Sequence, residues 1–149
     1  MAIPLLLIQV ASTWFLVGLI WTIQVVHYPL FAGVGPDRFP AYQESHARLI
    51  TLVVGPVMLI EAATTMLFLT LRPAGIPAWV AWVGFGLLAV IWISTALLQV
   101  PAHGRLAEGF DSMVHDRLVS TNWIRTIAWT ARGCLLGWAI YTLLADVRP

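Results

Sequence analysis

The chain has 149 residues, 60% of them hydrophobic and 10% charged, with a formal net charge of +1. A soluble domain of this size cannot bury so much apolar surface, so the bilayer is the expected solvent. The few charges are scattered and give no footing for nucleic acid, and the single cysteine, Cys134, excludes an intrachain disulfide.

The opening stretch lacks a basic region and a small-residue cleavage motif. It reads as a retained first span, Ile3–Val26, and not as a signal peptide. About 20 apolar residues cross a bilayer as a helix. Three further stretches qualify: Ala47–Leu71, Ala78–Val100 and Asn122–Ala145. Residues 72–77, Arg-Pro-Ala-Gly-Ile-Pro, form a tight hairpin, while the other two connections are longer and more polar. Nothing alternates like a barrel strand, so the backbone must satisfy itself as helices. The expected fold is all-α, one integral membrane domain over residues 1–149 built as a four-transmembrane-helix bundle. Pro29, Pro56 and Pro101 are expected to end or kink helices near the polar layer. Thr121 or Asn122 is expected to cap the fourth helix.

The two halves echo each other. Gln24-Val-Val-His27 precedes His46-Ala-Arg48-Leu49, and Gln99-Val-Pro-Ala-His103 precedes His115-Asp-Arg117-Leu118. Two pseudo-repeated hairpins or a chance match in an apolar background both account for this. Either way, a serpentine chain brings all four histidines, His27, His46, His103 and His115, to one membrane face. Arg38, Arg48, Arg105, Arg117 and Arg125 gather there, with Arg72 and Arg148 opposite. The positive-inside rule then makes the protein a multi-pass cell-membrane protein with its histidine face cytoplasmic and both termini outside.

Imidazoles at an apolar boundary suit a metal ion, iron or copper, or non-covalent haem; Glu44 and Asp116 are the carboxylates expected to complete the shell. No Glu-x-x-His pair supplies the usual di-iron signature, and no Cys-x-x-Cys-His supports covalent haem. Hydrogen bonding at helix interfaces and proton transfer are the competing roles for these rings. Glu61 and Arg132 lie inside spans at similar depth, where charge is expensive, and are expected to pair. That pair either locks helices together or serves as a catalytic or proton site. Arg125, Trp129 and Arg132 repeat at helical spacing and make a stripe suited to an anionic or quinone-like head, or to lipid phosphate. Asn122, Gln24 and Gln99 are further substrate-binding candidates. Trp21, Trp92 and Trp129 sit deep enough to line a pocket or simply to pack. Gly133-Cys-Leu-Leu-Gly137 permits close helix approach or a homo-oligomer.

The stretch Asn122-Trp123-Ile124-Arg125-Thr126, with Ala128-Trp129 and with His27-Tyr28-Pro29, resembles the small four-helix membrane proteins of the anthrone-oxygenase-like family. The resemblance implies a four-helix bundle and oxygen-dependent chemistry on aromatic polyketides, touching Asn122, Arg125 and His27. The expected function is a membrane redox or oxygenase-type enzyme acting on a lipophilic small molecule. The alternatives are an accessory subunit bound to a membrane-protein partner, and a proton-coupled carrier using Glu61.

Overall fold

A computed structural model describes residues 2–145, and Arg148 lies outside them. Four helical rods make up the described chain: α1, Ala2–Gly33; α2, Phe39–Leu71; α3, Ala78–Glu108; and α4, Ser112–Ala145. Each is long and apolar enough to cross a membrane. The protein is an all-α four-helix bundle. The rods run up and down around a square: each packs on its chain neighbours, and α4 closes the ring against α1.

The bundle is polar inside and apolar outside, as a bilayer solvent requires. Gln9, Thr13, Glu61, Thr65, Asn122 and Arg132 are buried, while Leu7, Leu52, Leu59, Leu97 and Ile127 face outward. Inward hydroxyls donate back to their own helix, as Thr64 does to the Ile60 carbonyl and Thr126 to that of Asn122.

The rods hold 31 to 34 residues, well beyond the roughly 20 that cross the hydrocarbon layer. The excess lies mostly at the histidine end. Segments expected as long loops are therefore mostly helix, leaving connections at residues 34–38 and 109–111. Gly109 (φ 157°, ψ 163°) makes the second turn possible, since side-chain-bearing residues rarely adopt that conformation. Asp111, not Thr121 or Asn122, caps α4: its Oδ1 accepts from the backbone N–H of Met113 at 2.8 Å and of Val114 at 3.2 Å. Asn122 sits one-third of the way along α4 and is fully buried.

Pro29 and Pro101 do not end their helices. Each follows a π-helical turn, Ile23–His27 in α1 and Thr95–Gln99 in α3. The residue just before each proline, Tyr28 or Val100, bonds five residues back, to the carbonyls of Ile23 and Thr95. A proline cannot donate, and the widened turn absorbs the strain without breaking the rod. Pro56 is exposed and α2 continues through it. The matched π turns give the two halves a shared local geometry. The polar contacts do not follow it, because Gln24 and Gln99 both bond to α4.

Gly133 lets α1 approach α4: a Cβ there would lie 3.3 Å from Val17 and 3.4 Å from Trp14. The small-residue motif thus works within the bundle at Gly133, while Gly137 has open space around it.

Candidate functional site

The deepest polar feature is a clamp at mid-bundle. Glu61 accepts from Thr13 Oγ1 at 2.8 Å and Arg132 Nε at 3.1 Å on one oxygen, and from Trp129 Nε1 at 3.0 Å on the other. Arg132 also donates to Thr65 Oγ1 at 2.9 Å and to the Gly84 carbonyl. The expected pair is present, and it ties all four rods together across the α2–α4 diagonal. Both oxygens of Glu61 are engaged, and neither residue lines the main cavity.

That cavity, about 370 Å³, lies between the clamp and the histidine end. Its wall is chiefly aliphatic. Its polar groups are Tyr28, Thr51, Thr95, Gln99, His103 and Arg125, with the Trp129 ring beside them. Arg125 sits 6.0 Å from the centre of that ring. Leu59 on α2 and Val100 on α3 also line it and are exposed, at 62% and 61%, so the cavity opens sideways between α2 and α3 toward the lipid. Trp92 lines it, one of the two roles the sequence left open. Trp21 does not: it lies on the outer face, bonds Thr130 and packs edge-on against Trp123.

Arg125 is the unusual charge. It is buried, and among the described residues no carboxylate pairs with it; the ion pairs are Glu61–Arg132 and His115–Asp116. Its guanidinium is held by neutral groups. Asn122 Oδ1 accepts from Nε at 2.9 Å and from Nη2, Tyr28 Oη accepts from Nη2 at 3.3 Å, and Thr95 Oγ1 from Nη1 at 3.4 Å. Asn122 is fixed in turn by its donation to Gln24 Oε1 at 2.8 Å, and Gln24 donates to the Val119 carbonyl. Gln24 and Asn122 therefore lie behind the cavity wall and orient Arg125. Gln99 donates to Thr121 Oγ1, and its own Oε1 is buried in the wall with no partner.

The four histidines share one end but not one pocket. His27 Nε2 and His46 Nδ1 are 2.8 Å apart and hydrogen-bonded. The His46 ring centre lies 5.4 Å from that of His103. His103 is bonded through both nitrogens, to Tyr28 Oη at 2.9 Å and to Gln43 Nε2 at 2.7 Å. His115 stands across Phe31 from the row and bonds the Tyr28 carbonyl. Phe31, fully buried, is the hub of this end, with the rings of His27, Tyr28, Tyr42 and His46 at 5.1–5.5 Å.

The imidazoles of the row bond chiefly to one another and to Tyr28 and Gln43. Two ring nitrogens in the row have no hydrogen-bond partner, Nδ1 of the half-buried His27 and the buried Nε2 of His46. Glu44 is exposed, and Asp116 is 83% exposed and 3.7 Å from His115. Among the described residues no three histidine, cysteine or acidic side chains converge for a metal ion. Tyr28, Gln43 and Phe31 were missed by sequence reasoning, which weighed charge and imidazole and passed over a tyrosine beside a proline.

No family model, curated protein or solved structure matches the chain. The fold and cavity define a class, a four-helix membrane bundle with a lipid-facing internal cavity. The likeness to anthrone-oxygenase-like proteins rests on the quoted motif alone.

Proposed function

We propose that this protein takes a lipophilic molecule from the bilayer through the α2–α3 opening and holds its oxygen-bearing head at Arg125. The observation that carries this is a buried guanidinium, without a carboxylate partner among the described residues, at the polar end of an otherwise aliphatic cavity. A buried cation of this kind costs several kcal/mol, and a complementary ligand head removes much of that cost. Gln99 lines the same wall, and its buried Oε1 has no partner in the protein. Apolar walls with a few convergent polar groups are the usual form of a small-molecule site. The closed Glu61–Arg132 clamp supports a structural role for that pair and not a carrier's proton site. The histidine face is the cytoplasmic one in this reading, because Arg38, Arg48, Arg105 and Arg117 are exposed there. Redox or oxygenase chemistry would be an addition to binding, and none of the contacts described requires it.

Gly55 supplies the test. It lines the cavity, and a Cβ there meets nothing closer than Thr51 Cγ2 at 3.8 Å. Gly55→Leu should fill the cavity while sparing the helix. Lipid extracts of purified wild-type protein should contain a lipophilic species, detected by mass spectrometry, that Gly55→Leu lacks. Identical extracts from the two would remove the proposal.

A further inference from the structure

The hydrogen bonds around Tyr28 leave its own proton without an acceptor in the protein. Gln43 Nε2 lies 2.7 Å from His103 Nδ1 and 3.4 Å from the His103 carbonyl. With the amide NH2 toward His103 both contacts run from donor to acceptor, and Gln43 Oε1 is left buried without a partner. His103 Nδ1 is then the unprotonated nitrogen, and Nε2–H donates to Tyr28 Oη at 2.9 Å. Arg125 Nη2 donates to the same oxygen at 3.3 Å. Tyr28 thus accepts twice, and no acceptor in the protein takes its phenolic proton. Tyr28 is 2% exposed and lines the cavity. The hydroxyl is a buried donor at the cavity wall.

From this geometry we infer that Tyr28 is a ligand-binding residue. Its hydroxyl and the Arg125 guanidinium converge on one oxygen of an anionic head, and the ligand is a long-chain acid. The inference rests on the cavity reading and adds the chemistry of the head. A neutral phenol supplies one hydrogen bond and the guanidinium a charge-assisted one, roughly twice as strong. Carboxylate therefore outranks a neutral carbonyl of the same chain length. Gln43 and His103 touch no ligand in this scheme; they are positioning residues that hold the tautomer which leaves the tyrosine proton free.

The experiment uses the full chain in phosphatidylcholine nanodiscs, labelled with ring-13C tyrosine, with laurate, methyl laurate and dodecane as probes at mildly alkaline pH. Difference infrared spectra read the tyrosine C–O stretch, and equilibrium binding is measured in parallel. Laurate should bind at least tenfold more tightly than methyl laurate. It should shift a tyrosine band that is missing from Tyr28→Phe, and dodecane should shift nothing. Tyr28→Phe should bind laurate about tenfold more weakly, the loss expected for one hydrogen bond. Laurate that binds wild type but not Gly55→Leu, with the tyrosine band unmoved, overturns the Tyr28 assignment and leaves the cavity reading standing. Equal binding of laurate and its methyl ester overturns the anionic head. Laurate that binds wild type and Gly55→Leu alike overturns the cavity reading itself.

Discussion

Replacing Glu61 with Gln keeps the side chain's size and removes its charge. Three donors now converge on the carboxylate, from Thr13, Arg132 and Trp129. An amide can present one oxygen, so its NH2 must face the Trp129 N–H in one orientation, or Thr13 and Arg132 in the other. Arg132, 1% exposed, is also left as an uncompensated buried cation. Removing one partner of such a pair costs about 3–5 kcal/mol. Unfolding of the detergent-solubilised protein by sodium dodecyl sulfate, followed by circular dichroism, should show a loss of that size. Arg132→Met should lose a similar amount, and the double variant Glu61→Leu/Arg132→Met should lose less than the two single changes added together, with a coupling of about 1–3 kcal/mol. A loss below about 1 kcal/mol for Glu61→Gln, or strict additivity in the double variant, would refute the reasoning that this pair is what binds the four rods.

Phe31→Ala should destabilise the bundle by about 3–5 kcal/mol in the same assay, because the fully buried ring is the hub of the histidine end. Asp111→Ala should cost about 1 kcal/mol through the lost cap of α4, and Asp111→Asn should restore most of it. Gly55→Leu should change stability by no more than about 1 kcal/mol, because leucine's better helix propensity is offset by its place just before Pro56 and the cavity has room. Gly133→Leu should weaken the fold and Gly137→Leu should not, because Val17 and Trp14 crowd only the first of them.

Much of the architecture could be read from the residues, and the reasons are physical. Apolar runs of bilayer length fix four crossings, and the serpentine path then puts all four histidines at one end. Depth along two spans was enough to pair Glu61 with Arg132. The helix ends were not legible, because a hydropathy window registers only what lies in hydrocarbon. Residues 101–108 and 112–121 are helical but amphipathic or polar, so they read as loop. That error moved the cap from Asp111 to Thr121 or Asn122. The role of Tyr28 was hidden by the π turn before it, which rotates the following residues by about 100° relative to a straight helix. Trp21 was placed by depth alone, and depth does not say which face of a helix a side chain occupies. The histidines were read as one cluster from their shared end, while the side-chain bonds divide them into a row of three and a separate His115.

The central claim is that an acidic head sits on Arg125 inside the bundle. Solid-state NMR of nanodisc-embedded protein can read it as dipolar recoupling between carboxyl-13C laurate and 15N-labelled arginine guanidinium groups. The account predicts a carbon–nitrogen distance of about 4 Å, typical of an ion pair, that disappears in Arg125→Gln. Laurate that binds but shows no such coupling, or coupling that survives Arg125→Gln, would contradict it.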